Sequence, residues 1–139
     1  MAFGDSFSES LPIETMLRTV REVAQGAPCR LNVQGFTLRL YPNRIPGAVH
    51  EQRLKLFSTF LLRLSRAMKA SEAGGDIVIA FQRSGPEWYV GISADSREVA
   101  WMPCEIVSYD PSRVNEATTL EFDGMVLGQN GQPLRRIVL

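Results

Sequence analysis

Histidine and cysteine are scarce in this chain, and their scarcity limits the chemistry that the chain can perform. Among 139 residues there is one histidine, His50, and there are two cysteines, Cys29 and Cys104, which stand 75 positions apart. This inventory fits no metal site, and no GxGxxG, Walker, GxSxG or HExxH motif is present. The sequence therefore predicts no enzyme, no cofactor and no metal. An unrecognised catalytic site is the alternative, and it requires a deep pocket around His50 or a cysteine.

Long apolar runs are also missing. No stretch approaches the roughly 18 apolar residues that a membrane-spanning helix needs. The opening residues, MAFGDSFSESLP, have neither the positive region nor the apolar region of a signal peptide. We therefore expect a cytoplasmic protein in which Cys29 and Cys104 are reduced thiols packed as small hydrophobic groups. A single disulfide or a reactive thiol is the alternative.

An excess of one charge is absent as well. The 15 basic and 15 acidic residues give a formal net charge of zero, which removes the overall positive field typical of nucleic-acid or membrane-surface binding. The basic residues are 13 arginines and only two lysines, a bias that hints at a GC-rich bacterial gene. The length suits one domain over 1–139, with a loose tail over 1–9.

What the sequence does contain is a clear order of elements. A first helix is predicted at about 11–25, capped by Ser10. A β-hairpin at 29–33 and 36–41 turns at Gln34-Gly35, and a second helix covers 51–70. A second hairpin, DIVIAFQ and EWYVGIS, turns through four residues, 83–86. The buried stripe of the first helix is predicted to contain Ile13, Met16, Leu17, Val20, Val23 and Ala24.

The remaining segments keep the character of strands, separated by turn residues about every ten positions. These segments are EVAWM, CEIVSY, TTLEF, MVLG and PLRRIVL. Helices that do not alternate with single strands argue against parallel crossovers. The predicted fold class is therefore α+β, with two helices packed on one face of a curved, mainly antiparallel sheet, in the order α-ββ-α followed by a β meander.

The helix over 51–70 has two unlike sides. Stepping by 100° per residue gathers one apolar arc, which contains Leu54, Leu56, Phe57, Phe60, Leu61, Leu64, Ala67 and Met68. The opposite side has four cations and no carboxylate. We call this side the basic face, and it contains Lys55, Thr59, Leu62, Arg63, Arg66 and Lys69. Arg53, inside the apolar arc, and Leu62, inside the basic face, break the pattern.

The basic face has two interpretations. It is the solvated side of a core helix, or it is a recognition surface for phosphates or an acidic protein, with Leu62 as an apolar anchor. Within the second interpretation a protein partner is favoured, because four cations on a neutral molecule release few counterions from a nucleic acid. Strand alternation places Trp88, Val90 and Ile92 inside, so Tyr89 is expected outside as a further contact residue.

The sequence therefore predicts a small protein-binding module of the accessory, chaperone, adaptor or immunity type. Its predicted partner-binding residues are Lys55, Leu62, Arg63, Arg66, Lys69 and Tyr89. The alternative is a nucleic-acid-binding regulator that uses the basic face. Self-association is also possible, because PLRRIVL would form an edge strand where a second copy can pair, unless Arg135 and Arg136 protect that edge.

Overall fold

The computed structural model of the protein describes residues 13–94, 100–114 and 118–123, and the backbone of 125–127 and 133–136. The two helices are α1 (Ile13–Ala24) and α2 (His50–Glu72). The strands are β1 (Cys29–Val33), β2 (Phe36–Leu40), β3 (Ile77–Ser84), β4 (Glu87–Ser93), β5 (Met102–Tyr109), β6 (Thr118–Phe122), β7 (Met125–Leu127) and β8 (Pro133–Arg136). The predicted α+β class, with helices on a mainly antiparallel sheet, is confirmed. The predicted tail over 1–9 and the cap at Ser10 lie outside the described residues.

The sheet has the strand order β1-β2-β5-β4-β3-β6-β7-β8. Two meanders, β3-β4-β5 and β6-β7-β8, meet where β3 pairs with β6 in parallel, and every other pairing is antiparallel. The first hairpin joins the sheet through β2, which pairs with β5 rather than with the next strand in sequence. Because β8 lies at one end of this order, the C-terminal segment forms an edge within the described sheet, as the sequence predicts.

The first hairpin has the predicted turn. Gln34 and Gly35 both take positive φ, 49° and 85°, as the two central residues of a type I′ turn require. Val33 pairs with Phe36 directly across this turn. The tip of the hairpin packs on the segment that follows β5, because the Asp110 N–H donates to the Gly35 carbonyl at 2.9 Å.

The second hairpin turns more tightly than predicted. Four turn residues were expected, but β3 continues to Ser84, which pairs with Glu87 and leaves two residues in the turn. Gly85 takes a φ of 59° there. The strand is held to its end because the Arg83 Nε donates to the Gly85 carbonyl at 3.0 Å and its guanidinium lies 5.8 Å from the centre of the Trp88 ring.

EVAWM and CEIVSY were predicted as two strands, and the described part of this region contains one, β5. Ala100 and Trp101 precede β5 without belonging to a strand, and residues 98–99 lie outside the described range. Pro103 is the second residue of β5, and although its ring nitrogen has no hydrogen to donate, its carbonyl accepts a hydrogen bond from the Tyr41 N–H at 2.8 Å.

The helix α2 carries the centre of the core. It begins one residue before and ends two residues after the predicted range, 51–70. Leu56 was expected inside but is 45% exposed. Arg53 tolerates its place on the inner side because its Nε donates to the Ile45 carbonyl at 2.9 Å. The buried residues of α2 are Phe57, Phe60, Leu61, Leu64, Ser65, Ala67 and Met68.

The predicted buried stripe of α1 is partly wrong. Met16 is buried, but Ile13 and Leu17 are 67% and 61% exposed. Thr19, which the prediction omits, is fully buried, and its hydroxyl donates to the Thr15 carbonyl at 2.7 Å. Because that bond satisfies the hydroxyl, Thr19 can face the core without an unpaired polar group. One edge of the apolar stripe of α1 faces solvent instead. Within the described part of the chain, neither helix is long and apolar enough to span a membrane.

Candidate functional site

The basic face of α2 points away from the sheet. Lys55, Arg66 and Lys69 are exposed, and Leu62 between them is 44% exposed. Lys55 and Lys69 are 14 residues apart, so the row of cations is about 21 Å long at the helical rise of 1.5 Å per residue. The side chains therefore form one continuous surface, with an apolar residue near its middle.

The charge of the molecule is concentrated on this helix. α2 contains five Arg and Lys residues and two Glu residues, so it carries a net charge of +3 within a neutral chain. The remainder of the chain consequently carries −3. Both lysines of the protein, Lys55 and Lys69, belong to this face.

The cations of the basic face differ in whether they interact with other groups of the protein. Among the residues that the structure describes, Arg39 forms an ion pair with Glu105 at 3.9 Å and Arg44 forms one with Glu87 at 3.5 Å. No described carboxylate lies within ion-pair distance of Lys55, Arg66 or Lys69. Arg63 is different, because it is half-buried at the margin of the face and interacts with another group of the protein.

The hydroxyl groups on this side of α2 are already used. The Thr59 hydroxyl donates to the Lys55 carbonyl at 3.0 Å, and the Ser58 hydroxyl donates to the Leu54 carbonyl at 2.9 Å. Such bonds to the preceding turn keep the hydroxyl groups against the helix. A partner of the basic face would therefore meet ammonium and guanidinium groups together with an apolar side chain.

Leu56 adds a second exposed apolar side chain near this surface. Stepping 100° per residue from Leu54 puts Leu62 at 80°, among the cations, and Leu56 at 200°, beyond Arg63. Both leucines are exposed to a similar degree, 44% and 45%. The basic face is thus bordered by apolar surface that the sequence prediction had assigned to the core.

Tyr89 does not join the basic face. It lies on β4 between two core residues of the opposite orientation, and it pairs with Gln82 and Pro103. Val90, its neighbour in sequence, is fully buried on the side of the sheet that contacts α2. Alternation along the strand therefore directs Tyr89 to the other side of the sheet, where it is half-buried rather than exposed. The structure brings the five α2 residues together and separates Tyr89 from them.

The cysteines are packed among apolar side chains. Both are free and buried, and burial raises the pKa of each thiol from 9.0 to about 12. Cys29 and Cys104 pair with Leu40 from opposite sides, which separates them by two strand spacings, about 10 Å. This is too far for a disulfide. Because a thiolate is the nucleophilic form, these thiols are poor nucleophiles at neutral pH.

His50 is the first residue of α2 and is exposed. In the part of the chain with described side chains, no group of three or more His, Cys, Asp or Glu residues is arranged to hold a metal ion. Whether the protein lacks catalytic activity stays a prediction.

A cavity that the sequence prediction missed lies at the C-terminal end of α2. It has a volume of about 290 Å³ and lies between that helix end, the turn of the first hairpin and a 3₁₀ turn at Pro111–Arg113. Its lining consists of Gln34, Met68, Ser71, Glu72, Ser112, Arg113 and Val114. The three segments are far apart in sequence, and the local pattern of each predicts only a helix end or a turn. The sequence therefore gives no signal for the cavity.

Comparisons of the chain with models of protein families, with curated proteins and with solved structures give no match. Functional inference consequently depends on the geometry and charge of the chain itself.

Proposed function

We propose that this protein is a cytoplasmic binding module, of the accessory, chaperone, adaptor or immunity type, that docks onto an acidic surface of another protein. The observation that carries the proposal is the group of Lys55, Arg66 and Lys69 around Leu62, exposed and without a described intramolecular carboxylate. An acidic partner would neutralise charges that the fold leaves to solvent. Complementary charge speeds encounter and selects the partner.

Leu62 would supply the apolar contact that the cations cannot make. Interfaces draw their affinity from apolar anchors that are buried by the partner, surrounded by polar contacts that exclude water. A leucine that is 44% exposed among three cations fits the role of such an anchor. A second copy of the same face would bring like charges together, which argues for a different protein as the occupant.

A nucleic-acid partner is the alternative, and the number of available cations disfavours it. Each neutralised phosphate contributes about one unit to the dependence of affinity on salt, and specific binders commonly contact about 6–10 phosphates. The basic face has three exposed cations on a neutral molecule, and they would give weak binding that salt abolishes readily. A leucine among them also offers no stacking surface for a base.

Site-specific photo-crosslinking in cells that express the chain natively tests the proposal. A photo-crosslinking phenylalanine analogue replaces Leu62 in one version and Val107 in another. Both residues are 44% exposed, so the second version is a matched control on β5. We expect a defined protein adduct from position 62 that is absent at position 107 and disappears when Arg66 and Lys69 are both changed to glutamate.

The other outcomes would contradict the proposal. A nucleic-acid adduct at position 62 would support the regulator alternative instead. An adduct between two copies of the chain at position 62 would indicate self-association through the basic face, and pairing along β8 stays a separate prediction. Equal adducts at both positions, or none, would mean that the basic face is only a solvated side of the helix.

A further inference from the structure

The cavity at the end of α2 lies apart from the basic face and has a different chemistry. Its walls carry one carboxylate, Glu72, and one guanidinium, Arg113, on two separate elements. Buried Met68 and Val114 supply its apolar part. A volume of about 290 Å³ corresponds to roughly ten water molecules at liquid density. The space therefore suits a small molecule.

The two charges are close enough to share a cavity but do not neutralise each other. Among the described residues, Glu72 and Arg113 form no ion pair. Asp110 is near Arg113 and is also outside ion-pair distance of it. Two hydrogen bonds from Ser112 to the Asp110 carboxylate lower the pKa of that group, and Arg113 lowers it further. The guanidinium thus keeps donors for a ligand.

The polar wall between these charges is fixed in place. Gln34 is only 7% exposed, its amide oxygen accepts from the Thr118 hydroxyl at 3.0 Å, and its amide nitrogen is 3.5 Å from the Ser71 hydroxyl. The 3₁₀ turn that presents Arg113 is anchored by Asp110, whose carboxylate accepts from the Ser112 N–H at 3.1 Å. A ligand would therefore meet a preformed site.

We propose that this cavity binds a small zwitterion that carries one carboxylate and one ammonium group, as a free amino acid does. Arg113 would take the carboxylate in a charge-assisted hydrogen bond, and Glu72 would take the ammonium. A ligand with only a negative charge meets repulsion from Glu72, and one with only a positive charge meets repulsion from Arg113. A molecule with both charges satisfies both walls, and Met68 and Val114 accommodate its carbon atoms.

Nuclear magnetic resonance titration of the full chain tests this inference. Glycine, β-alanine and γ-aminobutyrate are the probes, because they hold the same two charges at increasing separation. Acetate and methylammonium each carry one charge and serve as controls. We expect saturable shifts of the amide signals around Gln34, Glu72 and Arg113 with at least one zwitterion at millimolar concentration, and much weaker shifts with the single-charge probes.

Two variants test whether Glu72 and Arg113 bind the two charges of the ligand. Glu72→Gln and Arg113→Gln should each weaken zwitterion binding roughly tenfold or more. Glu72→Gln should at the same time strengthen acetate binding, and Arg113→Gln should strengthen methylammonium binding, because each change removes a repulsion. Glu51→Gln, at the other end of α2, is the matched control and should change nothing.

Failure to saturate with any zwitterion, or an equal response to acetate alone, would overturn the inference. So would equal weakening by all three variants. None of these results would affect the docking proposal, since no residue of the basic face lines the cavity.

Discussion

Replacing Gly35 by alanine should destabilise the protein more than the same replacement at Gly74. The two glycines have almost the same φ, 85° and 86°. Their surroundings differ sharply. A Cβ atom at Gly35 would collide with the Asp110 carbonyl oxygen, whereas a Cβ atom at Gly74 would meet nothing within 4 Å.

The expected loss of stability follows from the positive φ that both positions share and from the steric collision that only Gly35 has. An alanine held at positive φ costs about 1 kcal/mol relative to glycine, and both variants incur this cost. At Gly35 the new atom lies far inside the ordinary contact distance of 3.4 Å, so the backbone at Asp110 must move. That movement breaks the hydrogen bond from Asp110 to the Gly35 carbonyl, worth about 1 kcal/mol, and disturbs the adjoining 3₁₀ turn. We expect about 3 kcal/mol for Gly35→Ala and about 1 kcal/mol for Gly74→Ala.

Urea denaturation followed by circular dichroism measures both free energies of unfolding. A difference of about 2 kcal/mol between the variants corresponds to a clear shift of the denaturation midpoint. Equal destabilisation by the two variants would refute the reasoning, because it would mean that the hairpin turn does not pack on the segment after β5. The cavity beside that turn would then lose the contact between two of its walls.

Other predictions test the packing of α2 and of the thiols. Leu61→Ala should lower the free energy of unfolding by about 2–5 kcal/mol because the side chain is fully buried. Leu62→Ala, one position further along α2, should change it by less than about 0.5 kcal/mol. Denaturant titration measures both values, and similar losses would contradict the assignment of Leu61 to the core and Leu62 to the surface. Cys29 and Cys104 should resist a thiol-specific reagent at pH 8 until the protein is unfolded, since the pKa of each is raised to about 12; rapid labelling of the native protein would contradict their burial. Because the folded pKa of each thiol is above its unfolded value of 9.0, their contribution to stability is complete below pH 9.0 and is lost as the pH rises toward about 12.

Local patterns along the chain were sufficient to predict the elements. The period of 3.6 residues over 51–70 predicts α2 to within two residues at each end, because apolar residues that recur every three or four positions over twenty residues indicate a helix. The Gln34-Gly35 pair likewise predicts its turn, since both positions need positive φ. These features depend on neighbours within a few positions.

Features that depend on distant contacts were not predictable in the same way. In α1 the apolar stripe is present, but only packing decides which edge of it faces the core, so Ile13 and Leu17 are exposed. The pairing of β2 with β5 joins segments more than sixty residues apart. The cavity likewise draws Gln34, Glu72 and Arg113 from three separate segments, and none of them has a local pattern that indicates a ligand.

The central claim is that the exposed cations of α2 hold an acidic partner protein. It is tested most directly by measuring the dissociation constant for the protein that crosslinks at position 62, using calorimetry on purified components. The variant Arg66→Glu, Lys69→Glu should weaken binding about 100-fold, because it replaces two attractions by two repulsions. The variant Arg21→Glu, Gln25→Glu, Asn43→Asp changes the net charge equally at exposed positions outside the basic face and should bind like the wild type. Unchanged affinity in the first variant, or equal loss in both, would contradict the claim.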